Sequence, residues 1–201
     1  GYKLEKIGCE SVLINTHYLS KQVEEFISGW KTNSMEIKII NEETLLGTAG
    51  TLIRNIDFYS NSQGLLIHAD NITNSNLTEF IKAHMLRPKD CLLSMLTFHS
   101  DNPSQCGIVD VDKLGRVISF VEKDANPLSN RANGALYAFD SGFLCFMKTL
   151  PQNTTDFSTE VIPRLIGKIH TWHTNELYFD IGTKDSLDLV NKLWKYHKIL
   201  G

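Results

Sequence analysis

The sequence carries no surplus of positive charge: across 201 residues, 20 Lys and Arg stand against 23 Asp and Glu, for a formal net charge of −3. A general nucleic-acid binder needs a basic face to neutralise phosphates, so that class is not expected. Any phosphate handled here must be met by a few placed cations or by a metal. Cysteine is scarce and scattered: Cys9, Cys91, Cys106 and Cys145 form no C-x-x-C pair and have no histidine at ligand spacing. A disulfide framework is therefore not expected, and a reduced compartment is the default. No apolar run approaches the roughly 20 residues of a membrane-spanning helix. The opening Gly1-Tyr2-Lys3-Leu4 enters a helical pattern directly, without a charged, apolar and small leader pattern and without a first strand. The expectation is a cytoplasmic protein with neither a membrane nor a nucleic-acid partner. Repeats and linkers are missing too, and with 42% hydrophobic and 21% charged residues the chain is of ordinary globular composition.

What is present is an alternation of strand and helix patterns. Tyr2 to Ile7 reads as helix stopped by Gly8, and Ser11 to Asn15 as a short strand buried on both faces. Leu19 to Trp30 has Val23, Phe26, Ile27 and Trp30 at helical spacing. Strands follow at Glu36–Ile40, Gly64–Ala69 and Asp90–Phe98, with helices at Ala49–Ile56 and Asn76–Leu86. Then the order changes: Gly107–Val111 and Arg116–Glu122 flank a turn-forming Asp112-Lys113-Leu114-Gly115, which predicts an antiparallel hairpin. Asn133–Phe139 is a strand, Ser141–Leu150 a helix, and Phe157–Ile166 a helix interrupted by Pro163. Strands at Lys168–Trp172 and Leu177–Ile181 and an amphipathic helix over Lys184–Lys198 complete the chain. The expected architecture is one α/β domain over residues 1–201, a Rossmann-like, mostly parallel sheet with helices on both faces and an antiparallel hairpin insertion. The closing helix carries Leu189, Leu193 and Trp194, which suit either the chain's own core or a second copy in a homo-oligomer.

In open parallel sheets, ligands sit beyond the carboxyl ends of the strands, so the strand-to-loop junctions are the places to look. Leu46-Gly47-Thr48-Ala49-Gly50 opens a helix with small residues that let backbone approach a ligand, and N–H groups at a helix start favour anions; the same pattern also serves capping alone. Glu42 and Glu43, just before it, could accept hydrogen bonds from a base edge or face water. Asp70 comes where an apolar strand leaves the sheet, a place to hold a hard cation beside phosphates or to cap a turn. Asp180, between Phe179 and Ile181, falls on the strand face opposite those neighbours, and with Asp70 would make a Mg²⁺ pair if the sheet brings them together. Glu122 shares a strand face with Ile118 and Phe120, an uncomfortable site for an unpaired carboxylate, so it suits sugar hydroxyls or an edge ion pair, while Lys123 beside it suits a phosphate. Asp110-Val111-Asp112 mimics a glycosyltransferase D-x-D motif, but its place in a hairpin and turn favours a structural role. His68 reads as a packed strand histidine.

Taken in order, these segments resemble the sugar-nucleotide pyrophosphorylase (nucleotidyltransferase) family. Glu42 to Gly50 resembles its E-x-x-x-L-G-T-A-G segment. The hairpin from Gly107 to Phe120-Val121-Glu122-Lys123 resembles one ending in E-K-P, with Asp124 where proline is usual. Asn133-Gly134-Ala135-Leu136-Tyr137 resembles N-x-G-I-Y, and Asp180-Ile181-Gly182-Thr183 resembles D-I-G-T. The resemblance implies the nucleotide-diphospho-sugar transferase fold and transfer of a nucleotidyl group from a nucleoside triphosphate to a sugar-1-phosphate, with release of pyrophosphate. It implies Mg²⁺ on Asp70 and Asp180, with these and Lys123 as catalytic residues. Glu42, Glu43, Gly47, Thr48, Ala49 and Gly50 would meet the nucleotide, and Gly107, Glu122, Lys123 and Asn133 the sugar phosphate.

Ala69 stands where the family usually has Gly, which narrows the space before the metal aspartate. The family's first strand, G-x-G-T-R loop and downstream P-K have no counterpart in this sequence, so the expectation is a domain seen without that segment. GTP with mannose-1-phosphate or a related hexose is favoured, because a carboxylate can accept from both N1–H and the 2-amino group of guanine. A non-catalytic, sugar-nucleotide-binding or regulatory homologue and a metal-dependent glycosyltransferase are the alternatives.

Overall fold

The computed structural model describes residues 2–32, 35–59 and 63–197, without the side chains of Tyr2 and of 194–197. The chain divides into two compact units, Gly1–Ser60 with Leu150–Phe157, and Asn61–Thr149 with Ser158–Gly201.

In the first unit, helix α1 (Tyr2–Lys6) ends at Gly8, whose φ of 77° is the left-handed conformation a side chain would oppose. Strands β1 (Ser11–Thr16) and β2 (Glu36–Asn41) pair in parallel, with Ser11 opposite Glu36. Parallel neighbours need a crossover, and helix α2 (Ser20–Ser28) provides it. Helix α3 (Gly47–Arg54) follows β2. The expectation that β1 is buried on both faces does not hold: Val12, Leu13 and Ile14 are only half-buried, because β2 is the one strand beside it among the described residues.

The second unit holds β3 (Gly64–Ile67), β4 (Asn71–Thr73), α4 (Leu77–Met85), β5 (Leu93–His99), β6 (Gly107–Val111), β7 (Val117–Glu122), β8 (Arg131–Phe139), α5 (Ser141–Lys148), β9 (Ile169–His173), β10 (Tyr178–Asp180) and α6 (Lys184–His197). The nine-residue β8 organises the sheet. One of its edges takes β5; the other is shared between β3, opposite residues 136–139, and β6, at Ala132. All three run against β8, and β9 runs parallel to β5. Strands β3, β5, β6 and β9 thus share one direction, as expected of an α/β sheet. The reversed β8 lies between them, because the β6–β7 hairpin returns the chain to the sheet the other way round.

The sheet also curls. The Thr171 N–H donates to the Gly115 carbonyl (2.7 Å) and the Gly167 N–H to that of Val117 (2.8 Å), so the start of β7 lies along the free edge of β9. Leu93, Met95, Val117, Phe139, Phe143 and Ile169 are completely buried. Val190 and Leu193 of α6 border a small cleft with Ile72, Leu177 and Phe179 of the β4–β10 region, while Leu189 stays 48% exposed. The side chain of Trp194 and the whole of Lys198 lie outside the described residues. The segment expected as a helix over Phe157–Ile166 interrupted by Pro163 is a π turn (Phe157–Val161) followed by a 3₁₀ turn (Ile162–Leu165), since Pro163 cannot donate within a continuous helix. Among the described residues no helix is long and apolar enough to cross a membrane.

One polar group is buried between α4 and the sheet. His84 is 2% exposed, its Nδ1 hydrogen-bonded with the Ser94 hydroxyl at 2.8 Å. Arg87 donates to the His84 and Cys91 carbonyls and pairs with Asp140. Burial first, and then the Arg87 charge, pull the His84 imidazole from its ordinary 6.5 down to about 4. The folded state therefore binds fewer protons than the unfolded chain between those values. Stability should be undiminished above pH 6.5, fall as the pH drops through the window, and level off below about 4. The His84 contribution is on the order of 3 kcal/mol. Urea midpoints at a series of pH values check this, and His84→Gln should shallow the dependence; an equal slope in both proteins would refute it.

Candidate active site

The second unit's site is built around an irregularity in β8. Thr97 pairs with Asn133 and Met95 with Tyr137, so Gly134, Ala135 and Leu136 crowd opposite the single residue Leu96. This bulge puts Ala135 at φ 47°. Asn133 closes it locally: its Oδ1 accepts from the Ala135 N–H (3.0 Å), and its Nδ2 donates to the Tyr137 hydroxyl (2.7 Å). A Cβ on Gly134 would lie 2.8 Å from Leu96 Cδ2 and 3.1 Å from Tyr178 Cζ, which excludes any side chain unless both neighbours shift. The Gly134 carbonyl accepts from Asn71 Nδ2 (3.0 Å) and from the Tyr178 hydroxyl, while the His68 N–H donates to the Ala135 carbonyl (3.2 Å). The Tyr178 ring stacks on Phe98, with centroids 4.4 Å apart.

Those bonds hold the two strands that carry the acidic residues. Strand β4 pairs antiparallel with β10, Asn71 opposite Asp180. The Ile181 N–H donates to the Asp70 carbonyl (2.8 Å), and the Gly182 N–H to Asp180 Oδ1 (2.7 Å). A Cβ on Gly182 would lie 2.9 Å from Asp180 Oδ1 and 3.4 Å from Asp70 Oδ2, so the two carboxylates border one small space, and both residues are exposed. Burial, then Tyr137, Asp70 and Asp180, drive the Tyr178 hydroxyl's pKa well above its usual value, so it stays a protonated donor. Among the described residues no three His, Cys, Asp or Glu side chains gather as a metal cage. Two hard oxygens facing an open space suit a divalent cation that takes its remaining ligands from water and phosphate. Magnesium fits that donor set.

Gly107, Glu122 and Asn133 come together in register. Gly107 pairs with Glu122, Ile108 faces Ala132, and Asn133 pairs with Thr97, which in turn pairs with His173. Glu122, Gly107, Asn133, Thr97 and His173 therefore form a row across five strands on one sheet face. A Cβ on Gly107 would meet the Phe120 ring at 2.6 Å and Glu122 Oε2 at 2.8 Å, so the carboxylate lies over the glycine. Lys123 is exposed, with φ at 50°; its N–H donates to the Cys106 carbonyl at 3.1 Å. Strained non-glycine residues cluster at functional sites, and two of the three such residues described, Lys123 and Ala135, are here.

In the first unit the Gly47–Gly50 segment packs against residues 154–157. Gly47 has φ 77°, and a Cβ there would lie 2.4 Å from the Thr155 carbonyl oxygen. That carbonyl accepts from the Ala49 N–H (2.9 Å) and the Gly50 N–H (3.5 Å), and Thr48 Oγ1 accepts from the Phe157 N–H (2.9 Å). Of the amides expected to be open to an anion, those of Ala49 and Gly50 are thus engaged within the protein. Glu42 is 6% exposed, and its carboxylate accepts from the Leu46 N–H (3.2 Å) and the Thr51 hydroxyl. Glu43 is exposed and lines an open cleft of about 380 Å³ with Asn41, Thr44, Leu46, Arg54 and Asn55. In the hairpin, Asp112 Oδ1 accepts from the Leu114 and Arg116 N–H groups, the turn role expected for the D-x-D mimic.

Sequence reasoning passed over Tyr178 and Asn71. Tyr178 has a signal: it stands two residues before Asp180 and so shares its strand face. Asn71 does not, because its role depends on a partner strand distant in the chain.

A strand reversed between co-directional neighbours, with two strand-end carboxylates beside it, defines the nucleotide-diphospho-sugar transferase fold. The chain belongs to the nucleotidyl transferase family, whose pattern matches residues 3–195. It is 29% identical over 150 residues to a glucose-1-phosphate adenylyltransferase of Thermotoga maritima, covering 68% of this chain and 35% of the relative. It is 24% identical over 198 residues to a mannose-1-phosphate guanylyltransferase of Mycobacterium tuberculosis, covering 94% and 54%. The chain therefore spans from about a third to about half of these relatives. Among solved structures, HddC from Yersinia pseudotuberculosis superposes with a TM-score of 0.79 at 20% identity, over 96% of this chain and 82% of that one, and has also been solved with GMP-PN.

The glycine geometry gives a contrast to measure. Gly8 has φ 77° but nothing within 4 Å of a Cβ, whereas Gly47 combines the same φ with the Thr155 carbonyl at 2.4 Å. Gly8→Ala should cost about 1 kcal/mol, the left-handed penalty alone, and Gly47→Ala about 3 kcal/mol through added overpacking. Equal losses in denaturant melts would contradict the close approach.

Proposed function

We propose that this chain carries out nucleotidyl transfer to a sugar-1-phosphate. A phosphate oxygen of the sugar-1-phosphate attacks the α-phosphorus of a nucleoside triphosphate, the bond to the β-phosphate oxygen breaks, and pyrophosphate leaves. The observation that carries this reading is the convergence of the Asp70 and Asp180 carboxylates on one space beside Gly182. Family membership and the relatives' names support the reaction class.

In this reading Asp70 and Asp180 hold Mg²⁺, which when bound supplies charge neutralisation at the phosphates. Lys123 meets the acceptor's phosphate. Glu122 and Asn133 hold sugar hydroxyls, with Gly107 between them lacking the side chain that would displace the Glu122 carboxylate. The chain's task is positioning, keeping the attacking and leaving oxygens in line. The Gly47–Gly50 loop would form a wall of the nucleoside site through its small side chains rather than through the amides of Ala49 and Gly50. Glu43, exposed on its cleft, is the carboxylate proposed for a base edge, since that of Glu42 is already engaged.

GTP with mannose-1-phosphate or a related hexose is the favoured pair, supported by the guanylyltransferase match along 94% of the chain and by the GMP-PN complex of HddC. ATP with glucose-1-phosphate is the second pair, on the name of the Thermotoga relative. Pyrophosphate release across a panel of nucleoside triphosphates and sugar-1-phosphates separates them. Asp70→Asn and Asp180→Asn should each lower Mg²⁺-dependent release by about 10³-fold while leaving the circular dichroism unchanged. Unaltered turnover in both variants would sink the carboxylate assignment. Absence of release with every pair would favour a non-catalytic binding homologue.

A further inference from the structure

The row across the sheet continues past the residues used above. Thr97, His99 and His173 share a face with Asn133, and Arg131 joins them because it stands directly opposite His99. The His99 and His173 rings are in contact, with centroids 4.4 Å apart and planes tilted at 50°. Thr97 is fully buried, and its hydroxyl is hydrogen-bonded to His173 Nδ1 at 3.1 Å. The other ring nitrogen, His173 Nε2, is buried without a hydrogen-bond partner. In the tautomer where the Thr97 hydroxyl donates to Nδ1, the proton sits on Nε2, a buried donor open to an acceptor.

The permanent charge at this corner is unpaired. Arg131 makes no ion pair among the described residues. Burial, then Arg131 and His99, hold the His173 pKa down to about 4, and no carboxylate opposes them. A guanidinium without a counter-ion and a buried ring nitrogen without a partner are both costly. An oxyanion would relieve both. The corner also lies two residues along β8 from Asn133, next to the row proposed to hold the acceptor sugar.

We propose that Arg131, His99 and His173 form an anion subsite at the far end of the acceptor pocket, for a carboxylate or phosphate carried by the sugar in addition to its 1-phosphate. Arg131 and His99 reach the anion first, and His173, behind His99, supplies the remaining donor. The assignment of the anion to the acceptor rests on the nucleotidyl-transfer reading; the presence of an anion site does not.

The test has two arms. In the first, the metal-free protein is titrated with inorganic phosphate, read on the imidazole Cε1–H signals of His99 and His173 by NMR. Saturable shifts of both signals are expected, surviving Lys123→Ala and weakened about tenfold in Kd by Arg131→Gln, the loss of one charge-assisted hydrogen bond. Backbone amide spectra verify folding, and His99→Gln should weaken binding as well. Absence of shifts, or shifts abolished by Lys123→Ala and untouched by Arg131→Gln, overturns the subsite. In the second arm, kcat/KM is compared between a uronic acid 1-phosphate and the corresponding neutral hexose 1-phosphate. Arg131→Gln should reduce the preference for the carboxylate-bearing acceptor by about tenfold; an unchanged ratio overturns the assignment to the acceptor. If no acceptor turns over at all, the transfer reading fails, and the phosphate titration alone decides whether the anion site exists.

Discussion

The Gly134 carbonyl accepts from Asn71 on β4 and Tyr178 on β10, and those two strands bring Asp70 and Asp180 to the same space. Strand β4 has three residues, too few to hold a position by its own pairing. Its placement depends on the bulge in β8, which turns a carbonyl out of the sheet ladder and offers it to side chains. The bulge in turn requires that position 134 have no side chain, that Ala135 tolerate a left-handed backbone, and that Asn133 satisfy the exposed amide. The geometry of the candidate metal site is therefore set by backbone strain on a strand that contributes neither carboxylate.

Polar groups in this unit divide by how they are satisfied. His84 is buried with its neutral form favoured, and Arg87 with Asp140 forms a partly buried pair; both act on stability. Asp70, Asp180 and Lys123 instead stay exposed at strand ends, where their charges remain available. Between these extremes lie His173 and Arg131, partly covered and without a carboxylate partner, beside the exposed His99. Desolvation without compensation is costly in a structure whose other buried charges are paired, which makes this corner the place where a ligand would change the energetics most.

Much of the site was legible because its residues sit in short segments whose local chemistry is distinctive. Gly107, Asn133-Gly134 and Asp180-Ile181-Gly182 stand out as small or polar residues at the ends of apolar strands. Other features were invisible for definable reasons. Strand β4 reads as turn because it has only three residues and Asn71 has poor strand propensity, and β10 overrides it. The carboxylate of Glu42 turns inward because the Leu46 N–H and Thr51, about one turn along the next helix, offer it donors. The amides of Ala49 and Gly50 are used only because a segment remote in sequence returns beside them.

From the sequence alone came the alternation of strands and helices, the hairpin insertion and the candidate residues, all of which depend on periodicity and on side-chain chemistry within a few neighbours. The tertiary structure alone decided that β8 runs reversed among co-directional strands, that Asp70 and Asp180 meet, and that Glu122, Gly107, Asn133, Thr97 and His173 fall in one row. The reason is that side-chain direction repeats every two residues along a strand, whereas the register between strands is set by packing and hydrogen bonding across the whole sheet. A one-residue slip of β8 would preserve every segment that can be recognised in the sequence and disperse the site.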